Sequence, residues 1–221
     1  METFQIIATP LLLTFKISVI ATLFVTVLGI LIAYILAKRE FPGKWLADVM
    51  VTMPMVLPPT VTGYILVILL GKKGVIGSVF TKITGSGILF TWQAAAIAAF
   101  VVSLPLMVKT TTSAIGAVDR NVEEAARILG RNELETALFI TLPLAKKGII
   151  AGCVLSFARA VGEFGATLMV AGNIPGKTST MPLSIYGAYQ LGNNELANLL
   201  VIILVVMSLI TIAATSKLGE L

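Results

Sequence analysis

Residues 10–37 carry a single charged side chain, Lys16, in an otherwise apolar run. A bilayer core about 30 Å thick is crossed by roughly 20 helical residues, so this segment is long enough to span it with tilt. It does not read as a secretory leader. Met1-Glu2-Thr3 supplies no basic region, and the apolar run is too long and ends on Lys38 and Arg39. Lys16, near the start, is expected to reach the membrane interface along its own stem. Further apolar stretches occupy residues 45–70, 92–118, 144–171 and 196–214. Lipid offers no partner to backbone N–H and C=O groups, so runs of this length must satisfy them as helices. The expected fold is all-α and integral to the membrane, with about five transmembrane helices in one domain over residues 1–221. Composition agrees. Charged residues make up 12% of the chain, against roughly 25% in soluble domains.

The loops set the orientation. One set holds Lys38, Arg39, Lys44, Arg120, Arg127, Arg131, Lys146, Lys147 and Lys217. The opposite set holds Lys72, Lys73, Lys82 and Lys177. The richer set faces the cytoplasm, which puts the N-terminus outside and the C-terminus inside. The net charge of +5 therefore reports loop placement rather than a nucleic-acid surface. No histidine is present and Cys153 is the one cysteine. The chain thus lacks the commonest general base and metal ligand and cannot form an intrachain disulfide. An enzyme, a cofactor or a metal centre is not expected. Gly71-x-x-Gly74-x-x-Gly77 lacks the strand–turn–helix setting of a nucleotide loop. An odd span count and no internal repeat argue against an inverted-repeat carrier.

Two stretches break the apolar pattern. The first is residues 119–143, charged from Asp119 through Glu135 and apolar toward Pro143. Its grammar is helix, break, helix. Asn121 and Glu124 are spaced as a capping box, and so are Asn132 and Glu135. Glu123 and Arg127 are spaced to pair. Val122, Ala125 and Leu129 form a narrow apolar stripe. Gly130 suits the left-handed position after a last turn, and Pro143 closes this segment or kinks the next helix. A short helix, capped at both ends and small at Ala125 and Ala126, has the shape to dock into a groove on another protein.

The second stretch lies inside the fourth span. Arg159 sits about 22 Å into it at 1.5 Å per residue, where a charge costs at least about 2.5–3.5 kcal/mol. Glu163, one turn on, is placed to neutralise it. The pair reads either as a structural tie or as a polar element beside an anion's route. Ser156 and Thr167 can line the same route or bond their own helix carbonyls. Gly162 and Gly165 permit close approach or unwinding, and Gly148-x-x-x-Gly152 permits close helix packing. Pro58, Pro59 and Pro105 mark kinks that serve packing or open carbonyls to a pathway. Residues 183–190 form a candidate short interfacial helix.

Glu124-Ala125-Ala126, three residues, Gly130, nine residues, then Ile140-Thr141-Leu142-Pro143 resembles the EAA loop of prokaryotic ABC importer permeases. With Phe41-Pro42-Gly43-Lys44, Leu57-Pro58-Pro59, Ser103-Leu104-Pro105 and Asn173-Ile174-Pro175-Gly176-Lys177, the chain resembles the molybdate family of these permeases, with tungstate and sulfate or thiosulfate permeases as the alternative. The resemblance implies a type I importer permease fold whose cytoplasmic coupling helix engages a separate ATPase through Glu123, Glu124, Ala125, Ala126, Arg127, Leu129 and Gly130. It also implies a homodimer in the prokaryotic cell membrane, two ATPase copies, an extracytoplasmic anion-binding protein, no ATP site on this chain, and alternating access.

Overall fold

A computed structural model describes residues 2–220, with side chains described for residues 5–211 and 213. Met1, the Lys217 side chain and Leu221 lie outside the described residues. The described chain is helical throughout, without strands. In order, the elements are α1 (Glu2–Lys38), α2 (Lys44–Val56), α3 (Pro59–Leu70), α4 (Val75–Thr84), α5 (Trp92–Gly116), α6 (Arg120–Ile128), α7 (Glu133–Thr136), a π turn (Ala137–Thr141), α8 (Leu142–Leu144), α9 (Lys146–Val161), α10 (Gly165–Ala171), α11 (Met181–Gln190) and α12 (Asn194–Glu220).

Three helices are long and apolar enough to cross a membrane: Gln5–Lys38, Trp92–Gly116 and Asn194–Thr211. The number rises to five if each of two sharply bent pairs counts as one span. The first pair is α2 and α3, which meet at 115°. Two successive prolines cause the break. Leu57 precedes Pro58 and Pro58 precedes Pro59, so both are pushed out of the helical region. Leu57 has ψ 142° and Pro58 ψ 139°, and Pro59 then opens α3, where its missing N–H costs nothing. The 45–70 stretch is thus broken outright rather than kinked. Pro54 and Pro105, by contrast, lie inside continuous helices.

The second bent pair joins 133–144 to α9 at 73°, with Ala145 between. The stretch read as one span over 144–171 is itself interrupted. α9 ends at Val161 and helix resumes at Gly165.

α1, α5 and α9 pack together as the core, and α10 lies against α3 and α5. Membrane helices gain no hydrophobic drive from leaving lipid, so they associate through close packing of small residues. The core is built that way, with Ala21, Ala94, Ala95, Ala98, Ala99 and Ala166 almost wholly buried. α9 approaches α5 closely at Gly148, where a Cβ would lie 2.2 Å from the Ala114 Cβ. Lys16 sits with Nζ 3.8 Å from the Trp92 ring, which gives its charge a cation–π partner. α11 has one buried face and an exposed end at Tyr189 and Gln190. Met181 and Leu183 are fully buried, and the Met181 N–H donates to Thr14 Oγ1 at 2.8 Å.

Gly148→Leu forces α9 away from α5. Overpacking of this kind costs about 1–3 kcal/mol or more. The expected result is a lower unfolding temperature for the detergent-purified protein, with Gly116→Ala, where a Cβ meets open space, as the control.

Candidate functional site

The polar loop folds as two capped helices. Asp119, not Asn121, caps α6. Its carboxylate accepts from the Asn121 N–H at 2.9 Å, so the helix starts earlier than the Asn121–Glu124 spacing indicated. At the other end the Arg131 N–H bonds the Ala126 carbonyl and the Gly130 N–H bonds the Arg127 carbonyl, with Gly130 at φ 90°. These two bonds make a Schellman closure that needs a left-handed residue at Gly130. α7 carries the expected capping box. Asn132 Oδ1 accepts from the Glu135 N–H at 2.9 Å, and Glu135 Oε2 accepts from the Asn132 N–H at 3.1 Å.

α6 is turned inside out relative to a soluble amphipathic helix. Its buried residues are Glu123 and Ala126. Its large apolar side chains face outward, with Val122 44%, Ile128 85% and Leu129 85% exposed. Glu124, Ala125 and Arg127 are exposed. The expected Glu123–Arg127 pair is replaced. Glu123 Oε2 takes Lys38 Nζ at 2.8 Å, and Glu123 Oε1 accepts from Thr141 Oγ1 at 2.6 Å. A partner at the end of α1 outcompetes a neighbour one turn away, because the carboxylate is buried and needs both oxygens satisfied. Next to it, Arg39 bonds Glu133 at 2.7 Å on the surface. Between the end of α1 and α6 lies a charged cleft of about 730 Å³, lined by Lys38, Arg39, Arg120, Glu123, Glu124, Arg127, Arg131 and Glu133 among others.

In the membrane segment, Arg159 Nη1 lies 2.7 Å from Glu163 Oε2. The two partners are unequal. Glu163 is 3% exposed, while the Arg159 side chain is 33% exposed. Glu163 Oε1 also accepts from the Ala166 N–H at 2.8 Å, across the break between α9 and α10. The carboxylate therefore bonds one freed N–H of the restarting helix as well as the guanidinium. Ser156 is fully buried and donates to the Ser103 carbonyl at 3.2 Å. Thr167 is buried at 2% exposure. Pro58 and Pro59 stand at the sharp bend, and Pro105 is buried in α5.

Sequence reasoning did not find Lys38 or Thr141 as partners of Glu123, since each lies far from it along the chain and no local spacing signals the contact. It also missed the pair that ties α2 to α5, in which Lys109 Nζ bonds both Asp48 oxygens at 2.6 Å.

The pattern of a family described as "Binding-protein-dependent transport system inner membrane component" matches residues 25–217. The chain is 41% identical over 211 residues to the molybdenum transport system permease protein ModB of Escherichia coli, covering 95% of this chain and 92% of that one. It is 34% identical over 200 residues to the sulfate transport system permease protein CysW of Synechococcus elongatus, covering 90% and 70%. Among solved structures, a bacterial alginate ABC transporter in complex with an alginate pentasaccharide-bound periplasmic protein matches the fold. Its TM-score is 0.77 at 16% identity, with coverage of 96% of this chain and 77% of that chain. The chain belongs to the family of inner-membrane components of binding-protein-dependent transport systems. It is accordingly a membrane-embedded permease subunit of the ABC importer type, and its work is transport rather than catalysis.

Arg159→Met would strand the buried Glu163 carboxylate, a loss of about 3–5 kcal/mol. Glu163→Gln keeps an acceptor for Ala166 and should cost less. Thermal unfolding of the two purified variants, compared with wild type, checks the order. Equal losses would show that the charge of Glu163 is not what the buried pair manages.

Proposed function

We propose that residues 1–221 form one transmembrane domain that imports molybdate, as a homodimer with two copies of a cytoplasmic ATPase and an extracytoplasmic anion-binding protein. The N-terminus lies outside and the C-terminus inside. The single observation that carries this reading is α6. A short capped helix in a water-facing loop buries Glu123 and exposes Ile128 and Leu129. Exposed apolar groups of that size on a polar loop mark an interaction surface. The docking surface is Glu124, Ala125, Arg127, Ile128 and Leu129, with Gly130 ending the helix sharply enough to present it. ATP closure of the ATPase dimer brings the two α6 helices together and opens the spans outward. Hydrolysis restores the inward-facing state.

The molybdate assignment rests on the 41% identical relative, whose own name specifies molybdenum transport. The alternative is a tungstate or sulfate/thiosulfate permease, and the 34% identical sulfate permease supports its sulfate branch. Arg159 supports an anion's route. A guanidinium a third exposed at membrane depth cannot face lipid cheaply, so its free N–H groups belong on a polar path between the two copies. Glu163 then acts as the structural half of the pair, with the buried Ser156 and Thr167 behind it. The breaks at Pro58 and Pro59 give α2 and α3 separate directions beside that path.

Uptake of labelled molybdate should be ATP-dependent in cells expressing this chain with its ATPase and binding protein. Excess sulfate should leave it intact and tungstate should compete. Loss of uptake to modest sulfate would move the substrate to sulfate. Leu129→Asp should abolish co-purification of the ATPase while membrane insertion persists. Normal uptake by that variant would remove α6 as the docking element.

A further inference from the structure

We infer that Glu123 is a positioning residue rather than a docking residue, and that it carries the movement of α6 into α1 and α9 at once. The inference rests on the docking role proposed for α6. Three observations lead to it.

Glu123 points away from the surface on which the partner would sit, at 5% exposure, while the neighbouring Glu124 is exposed. α6 also has almost no apolar inward face, since Ala126 is its one other buried residue. Packing therefore does little to hold α6 against the membrane part, and the polar contacts of Glu123 must do it. Finally, those contacts reach two separate elements, the end of α1 and the π turn that precedes α9. Oε2 holds Lys38 in the last turn of α1. Oε1 holds Thr141, 1% exposed, at the end of the π turn that leads through the bend at Ala145 into α9.

The setting suits transmission. α6 lies mainly against α7 and the π turn, and the charged cleft of about 730 Å³ separates it from the end of α1. A displacement of α6 thus has room. It is passed on through a short, buried, doubly bonded carboxylate instead of through a compressible apolar layer. Buried charge pairs resist separation because each partner left alone is desolvated without compensation. The surface pair Arg39–Glu133, about half exposed on both sides, is screened by solvent and cannot serve in the same way. A π turn, the kind of local irregularity often found at functional sites, adjoins the Thr141 contact.

The test uses the reconstituted complex of this chain with its ATPase and binding protein in proteoliposomes, with molybdate as the probe. Molybdate uptake, ATP hydrolysis and the amount of ATPase co-purified are measured on the same preparations. In Glu123→Gln the ATPase stays bound, and ATP hydrolysed per molybdate imported rises by at least about fivefold. Lys38→Met gives a similar rise. The exchange Lys38→Glu with Glu123→Lys brings the ratio back toward wild type. If uptake and hydrolysis fall together at the wild-type ratio, or if Glu123→Gln alone releases the ATPase from an inserted chain, Glu123 is a fold or docking element and the inference is overturned. Should Glu123→Gln prevent assembly in the membrane, Thr141→Val removes one of the two contacts and reads the same ratio. A rise supports transmission and a wild-type ratio overturns it. Failure of the docking proposal has a different signature, namely an ATPase that remains bound to Leu129→Asp.

Discussion

Lipid cannot hydrogen-bond a peptide group, and the protein answers that constraint in two opposite ways. Along most of the chain it is met by unbroken helix, as in α1, α5 and α12. At three places the helix is broken, at Leu57–Pro58, at Ala145 and between Val161 and Gly165. Each break frees backbone groups that need a partner. At the third, a side chain supplies one, since Glu163 takes the Ala166 N–H while it neutralises Arg159. The buried carboxylate of this membrane segment is thus explained by the break it accompanies. Arg159 is explained by the carboxylate on one side and by its exposed donors on the other.

The same logic recurs in the polar loop with a different outcome. Glu123 is also buried and also accepts through both oxygens, and it reaches Lys38 far away along the chain. There the carboxylate borders an open charged cleft. Two buried carboxylates thus divide the work of the chain. One bonds across a helix break, and the other ties a surface helix to Lys38 and Thr141.

The inverted polarity of α6 sets it apart from the rest of the loop. An isolated nine-residue helix is too short to be stable in water by itself. It persists because Asp119 caps one end, Gly130 closes the other, and Glu123 ties the middle to Lys38 and Thr141. None of these restraints uses its apolar side chains. Val122, Ile128 and Leu129 are left available for a partner, which is what an inner-membrane component driven by a separate subunit requires.

By itself the sequence determined the all-helical fold class, the capped character of the polar loop and the Arg159–Glu163 pair. Each of these depends on residues close together along the chain: length of an apolar run, cap spacing, a left-handed glycine, one helical turn between opposite charges. The tertiary structure alone decided that Asp119 and not Asn121 caps α6, that Glu123 turns from Arg127 to Lys38, and that α2 meets α3 at 115°. It also decided that Ser156 bonds Ser103 across helices and that Met181 docks on Thr14. These outcomes are competitions between a near partner and a distant one. A buried polar group goes wherever its hydrogen bonds can all be satisfied, and where that is depends on how the helices pack, which no local spacing records.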